Sequence, residues 1–313
     1  MRNSFLSALY DLAKEDKRIL ALVADNGAIV FDKFRADFPH QFLNCGIAEA
    51  TMATVAAGLA SCGKIPFTYT ITTFLLMRAF EQVRNDICMQ NMNVKLVGIG
   101  AGLAYSTLGS THHAIEDIAL MKVLPNMTIL SPCDPLEAKK ITMAAAKVNG
   151  PVYIRLGTTK EPNVYTGDYP FEVGKGIVLN PGEDLVIIGT GGILYHALEA
   201  AALLKKEGIS VRVINIHTVK PLDKDIIVQA ACETKAIMTL EEHSILGGLG
   251  ESVAAVLLEH CPAPVRFHRM GIKDRFCGGY GPHRYMKERY GLSTADIAKQ
   301  AKLIYETKNA VIL

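Results

Sequence analysis

Apolar side chains arrive along this chain in two alternating rhythms. Short uninterrupted runs, ILALVA (19–24), IPFTYT (65–70), VKLVGIG (94–100), MTILSP (127–132) and PVYIRL (151–156), are separated by longer stretches of helical period. After residue 176 the style repeats in DLVIIGT (184–190), SVRVINI (210–216), AIMTLEE (236–242) and PVRFHRM (264–270), with helices expected over 192–207 and 248–260. Strands that are apolar on both faces, alternating with helices, predict α/β architecture: two doubly wound, mostly parallel sheet domains covered on both faces. Residues 158–176, TTKEPNVYTGDYPFEVGKG, are rich in Pro, Gly, Thr and Asn without a sustained period and read as a linker. The expected domains are therefore 1–157 and 177–313.

One helical stretch breaks the pattern. From Ile47 to Ala60 nearly every residue is small or apolar, with no polar stripe, so the helix reads as buried nearly all round. Its single charge is Glu49. A carboxylate in the first turn of a helix is stabilised by the free backbone N–H groups there, which is one reason to find it. The other is chemistry, because a buried carboxyl without a partner has its pKa pushed up and can exchange a proton with a ligand.

Composition narrows the function. The chain has 313 residues, enough for two cores, and 33 basic against 31 acidic side chains. A net charge of +2 gives no electrostatic footprint for nucleic acid, and half the residues are hydrophobic, which excludes a disordered chain. The opening MRNSFLSALYDLAKEDKR lacks a long apolar segment, and no run approaches the ~18 apolar residues of a membrane span. A cytoplasmic enzyme of small-molecule chemistry, with no membrane or nucleic-acid partner, is the expectation. The seven cysteines form no CxxC pair and read as reduced thiols, not disulfides or a zinc site.

Two glycine clusters follow strands. GTGGILYHALEAAALL (189–204) resembles a dinucleotide fingerprint, but Leu194 replaces its third glycine and VRVINIH ends without a ribose-binding acid. GIGAG (98–102) leads into LAYSTLGSTHH, a loop at the carboxyl edge of a parallel sheet, where a substrate is more expected. His112 and His113 face different ways and lack a third ligand at convincing spacing, so they read as pocket or structural residues, and no metal is assigned to this chain. Phe74, Arg78, Phe80 and Arg84 lie on the helix after IPFTYT, where aromatics at helical spacing are as easily core as cofactor platform.

The ordered series GIAEATM, TTFLLMRAFEQVRN, GSTHHAIEDIALMKVLPNM, GPVYIRLG, TVKPLD and LEEHSILGGLGE resembles the C-terminal half of transketolase across essentially the whole chain. The likeness is closer to split transketolases, in which that half is a separate subunit, than to 1-deoxyxylulose-5-phosphate synthases or 2-oxo acid dehydrogenase β subunits. The resemblance implies thiamine diphosphate as cofactor and transfer of a two-carbon ketol unit from a ketose to an aldose. It casts Glu49 as the partner of the aminopyrimidine ring nitrogen, where burial becomes the mechanism. Phe74 falls where the family stacks an aromatic on the pyrimidine, with Phe80 near a second aromatic position and Arg78 matching an arginine of the split and deoxyxylulose enzymes. His112 matches a catalytic histidine near the reacting carbonyl. Arg155 matches an arginine holding the sugar phosphate.

The departures imply as much. Gly100 stands where the family has a phosphate-binding histidine, and Leu108 where it has an aspartate contacting a substrate hydroxyl. Losing such a partner costs about 1–3 kcal/mol, so a modified, non-phosphorylated or less oxygenated sugar is expected, with Tyr105, Ser106 and His113 as replacement contacts. The chain also lacks any G-D-G motif for diphosphate and a divalent cation such as Mg²⁺. An N-terminal transketolase subunit carrying G-D-G is the expected partner, in an α2β2 assembly whose interface covers an apolar face of the first domain. Glu241, Glu242 and His243 read as structural or interface residues, and residues 278–291 as an interface segment. The rival enzyme is a 2-oxo acid dehydrogenase β subunit or deoxysugar-forming synthase. A non-catalytic scaffold or regulatory subunit is the rival of another class, against which Glu49, Phe74 and His112 speak together.

Overall fold

The computed structural model describes residues 1–158, 161–234, 236–261 and 264–307. Thr159 and Lys160 of the expected linker, and 308–313 of the expected second domain, lie outside the described residues.

Two sheets form the framework. The first is built from β1 (Ile19–Val23), β2 (Phe42–Asn44), β3 (Ile65–Ile71), β4 (Lys95–Ile99), β5 (Thr128–Leu130) and β6 (Val152–Leu156). The second comprises β7 (Ile177–Asn180), β8 (Leu185–Thr190), β9 (Val211–Asn215), β11 (Ala236–Ser244) and β12 (Arg266–Ile272). Between β9 and β11 the chain forms β10 (Thr218–Lys220), which leaves the second sheet and joins the first. The orders are β10-β5-β6-β4-β3-β1-β2 and β12-β11-β8-β9-β7. Every pairing is parallel except β10 with β5 and β7 with β9, both at edges.

The long apolar runs become central strands because both faces are covered. β1, β4, β6 and β8 are buried at every position. Helix starts are set by side-chain caps: Asp134 accepts from Glu137 N ahead of Pro135–Ala145, Asp223 from Ile226 N ahead of Lys224–Glu233, and Ser293 forms a capping box with Asp296.

The helix around Glu49 differs from its sequence reading. Glu49–Ser61 buries Glu49, Met52, Ala53, Ala56 and Ala57 against the first sheet. Its opposite stripe, Thr51, Thr54 and Gly58, is exposed. Small residues on every face conceal which face the chain itself covers.

Residues 161–176 hold no helix or strand, yet they are bound closely to both sheets. Val164 N and Tyr165 N donate to Asp134 Oδ2 at 3.0 and 2.9 Å, and the stacked Tyr165 and Tyr169 rings both aim their hydroxyls at Glu137. Asn215 of β9 donates to the same carboxylate, so buried Glu137 joins the first sheet's helix, the strap and the second sheet. Leu103, Ile115 and Cys133 pack into the second sheet's core, which makes the hydrophobic interior continuous across the junction. No helix among the described residues is long and apolar enough to cross a membrane. All seven cysteines are free thiols.

Candidate active site

At the carboxyl edge of the first sheet the chain brings Glu49, Phe74, Arg78 and His112 together. Glu49 opens its helix and is 2% exposed. Arg78 Nη1 donates to Glu49 Oε2 at 2.7 Å. The isolated buried carboxyl expected from the sequence therefore has a cationic partner, supplied from 29 residues away. The chain after β3 enters a wide π-helical turn over Phe74–Arg78, a geometry frequent at functional sites. This turn sets the Arg78 guanidinium 4.9 Å from the Phe74 ring centroid while it bonds Glu49. His112 stands edge-on to Phe74, centroids 5.1 Å apart, and Tyr105 edge-on to His112 at 6.5 Å.

The loop after β4 carries the remaining candidates. Gly102 and Ala114 exchange backbone hydrogen bonds at 2.9 Å in both directions, closing a compact loop over 102–114. Thr73 Oγ1 donates to Thr111 O and ties this loop to the π-helical turn. The far side is fastened to the second domain: Leu103 N donates to Glu242 Oε1, Ser110 Oγ to Cys277 O, and Gly281 N to Ser106 O. Glu242 is itself held by His283 Nε2 at 2.7 Å. Burial alone would push its carboxyl up, but His283 and Lys287 outweigh that and hold it at about 2.

The loop sorts the sequence candidates. Tyr105 is half-buried beside His112, whereas Ser106 is buried and His113 turns its Nδ1 to Cys277 O, with burial lowering its pKa. Phe80 is partly buried and packs against the first sheet's core. Arg155 is 3% exposed and already committed: Nε and Nη2 grip Asp117 at 2.7 and 3.2 Å, and Nη2 also donates to Ala114 O and Glu242 O. With Nε and Nη2 spent on a buried carboxylate and two carbonyls, the fork holds the loop and the domain junction together and keeps Nη1 for any sugar phosphate. Glu241 caps the Leu249–His260 helix by accepting from Leu249 N and Gly250 N, and His243 Nε2 accepts from Ala119 N, in keeping with structural or interface roles.

Gly100 has a steric explanation. Its φ of +90° disfavours any side chain, and a Cβ there would fall 2.1 Å from the Tyr105 ring. Tyr105 thus fills the place a larger residue would need. Burial raises the Tyr105 phenol and the nearby Arg2 guanidinium offsets part of the rise, so Arg2 belongs to this corner. Nothing in the sequence pattern singled out Arg2, because its neighbours are about a hundred residues away. Leu108 projects at the loop's rim, 53% exposed. Among the described residues no group of three or more His, Cys, Asp or Glu side chains can hold a metal ion.

Comparison with known proteins gives consistent matches. Residues 1–162 match the transketolase pyrimidine-binding domain and 174–297 the transketolase C-terminal domain. The chain is 39% identical over 302 residues to an apulose-4-phosphate transketolase subunit of Phocaeicola vulgatus, covering 96% of each. It is 37% identical over 310 residues to a 6-deoxy-6-sulfo-D-fructose transketolase subunit of a Clostridium species, covering 99% of this chain and 95% of that one. Among solved structures it resembles a split-gene transketolase in the form of an inactive beta4 tetramer, with TM-score 0.90 and 41% identity over 98% of this chain and 99% of that one.

Proposed function

This chain belongs to the transketolase family, and from that premise we propose that it is the C-terminal subunit of a two-chain transketolase acting on a non-standard sugar. Its pyrimidine-binding domain is assigned to 1–157, the linker to 158–176 and the C-terminal domain to 177–313. The observation that carries the reading is the buried Glu49 carboxylate, bonded by Arg78 beside the Phe74 ring. A buried carboxylate and a flat aromatic face suit the ring nitrogen and face of an aminopyrimidine, so the residues present fit thiamine diphosphate. When bound, that cofactor supplies the carbon nucleophile that accepts and returns a two-carbon ketol unit.

Glu49 is assigned the proton at the aminopyrimidine ring nitrogen. Arg78 orients that carboxylate, and Phe74 supplies the face for the ring. His112, between Phe74 and Tyr105, is placed to move a proton at the substrate carbonyl end. Tyr105 and Arg2 form a corner for the sugar's distal end. Phe80, Ser106, His113 and Arg155 support these groups from behind. The diphosphate and a divalent cation such as Mg²⁺ are assigned mainly to an N-terminal partner with the G-D-G motif, in a cytoplasmic α2β2 enzyme. The exposed small-residue stripe Thr51, Thr54 and Gly58, with the exposed apolar side chains Ile47 and Met77 near Glu49 and Arg78 in sequence, offers a face such a partner would cover.

Calorimetric titration of thiamine diphosphate with magnesium tests the half-site. Heat of binding is expected for the chain mixed with its G-D-G partner and none for the chain alone; tight binding by the isolated chain would overturn the two-chain reading.

The named relatives act on apulose 4-phosphate and a sulfonated fructose, and Leu108 gives this chain an apolar rim in keeping with such substrates. Leu108→Asp is expected to raise kcat/KM for ordinary ketose phosphates by about 10-fold relative to the native donor, one hydrogen bond's worth of discrimination. An unchanged donor profile in competition assays would remove Leu108 from the specificity set.

A further inference from the structure

The GTGG stretch at the end of β8, which the proposed reaction does not use, opens onto a second cavity. It measures about 320 Å³ and lies where the carboxyl ends of the two sheets face each other. Ser131 and Arg155 contribute from the first sheet, Thr190, Gly191 and Glu242 from the second. In the second sheet the chain passes from β8 to β9 on one side and returns to β11 on the other, so the crevice between β8 and β11 is a topological switch point. Ligands of open α/β sheets bind at such points, outside the carboxyl ends of the strands.

The walls are built for a ligand. Ser131 and Thr190 line the cavity, 0% and 1% exposed, and neither buried hydroxyl has a hydrogen-bond partner. Buried hydroxyls without partners cost about 1–3 kcal/mol each, so two on one cavity call for an occupant. A Cβ at Gly191 would sit 3.1 Å from Ser131 Oγ and 3.7 Å from Arg155 Nη1, so the absence of a side chain there opens a cradle between two donors. Opposite, Lys287 Nζ lies 2.7 Å from His196 Nε2. Burial and the Lys287 charge lower the His196 pKa, so the neutral ring accepts from Lys287 and leaves the ammonium's other protons free. The two carboxylates of the lining are engaged, Glu161 by the Met1 amine and Thr158 N, Glu242 by Leu103 N and His283.

We infer that this interdomain cavity is a second ligand site, separate from the Glu49 site, that takes a small phosphate monoester. The donors Ser131, Thr190 and Lys287, with the Nη1 group that Arg155 has not spent on Asp117 and the two carbonyls, suit phosphoryl oxygens. The volume exceeds what an orthophosphate fills and is too small for a dinucleotide, which leaves room for a short polyol chain. Glu242 touches this cavity and also holds Leu103 N at the root of the 102–114 loop, so an occupant bears on the loop that carries His112. The site stands whether or not the sugar reading is correct.

The experiment is calorimetry and thermal unfolding of the full chain with glycerol 3-phosphate, which offers no carbonyl to the transfer reaction, and with inorganic phosphate. Glycerol 3-phosphate is expected to bind and raise Tm, and to bind more tightly than phosphate. In the Ser131→Ala, Thr190→Val double variant the affinity is expected to fall at least about 10-fold, two lost hydrogen bonds. The same variant without ligand should be no less stable than wild type, because the hydroxyls it removes are unpaired. Binding untouched by the double variant, or no binding by either probe at millimolar concentration, overturns the site. Phosphate binding as tightly as the ester overturns the ester as its ligand.

Discussion

Glu49→Gln is expected to lower the turnover of the assembled enzyme by about 10²- to 10⁴-fold, the range typical of general acid-base groups, while subunit assembly survives. Glutamine keeps the shape of the side chain and can still accept from Arg78, but it cannot hold a negative charge or take up a proton. The structural cost should be small for a reason visible in the geometry. Arg78 is half exposed, with side-chain exposure of 52%, so its guanidinium returns to water when the counter-charge is removed. Ion pairs with one partner in solvent contribute little to stability. Steady-state kinetics alongside size-exclusion of the mixed subunits separates the two effects. Wild-type turnover in the variant would remove Glu49 from the reaction, and loss of the complex would make it an assembly residue instead.

Central strands were legible because burial on both faces writes itself as an unbroken apolar run, and β1, β3, β4, β5, β6, β8, β9, β11 and β12 all lie on or overlap such runs. The three strands without that signal are short edges. β2 is mostly exposed, β7 is mostly half-buried, and β10 pairs with β5 across the domain junction, where no local pattern announces the partner. The same division holds at the site. Glu49 stood out as a lone charge in an apolar helix, and Phe74 and His112 could be carried over by resemblance. The ion pair of Glu49 with Arg78, the Tyr105 ring filling the space beside Gly100, and Arg2 at the same corner are contacts between distant segments. Periodicity reports only which way a residue faces within its own element. Arg155 shows the opposite failure: its motif was readable, but the carboxylate that occupies its fork, Asp117, lies 38 residues away.

That pair carries the largest expected effect on stability. Asp117→Asn should destabilise the chain by about 3–5 kcal/mol, the usual cost of leaving one member of a buried ion pair without the other. Asp117 is fully buried and accepts from Arg155 Nε and Nη2 and from the Tyr153 hydroxyl at 2.6 Å, with His243 4.0 Å away. Asparagine preserves the size but strands the Arg155 guanidinium among Ala114 O and Glu242 O. Removing both charges in Asp117→Asn, Arg155→Met should restore part of the loss, because no unpaired ion remains. The pH dependence has a definite sign. Burial alone would raise the Asp117 pKa, but Arg155, His243 and Tyr153 outweigh it and hold it below the usual carboxylate value. A depressed folded-state pKa gives stability that is full above the unfolded value of about 3.9 and is lost as pH falls below it. Glu242, held at about 2, adds to the same loss. Denaturant titrations from neutral pH down to pH about 2 should therefore show wild type losing stability steeply below pH about 4. Asp117→Asn should start lower and fall less, and a variant as stable as wild type at neutral pH would show that the junction does not depend on this pair.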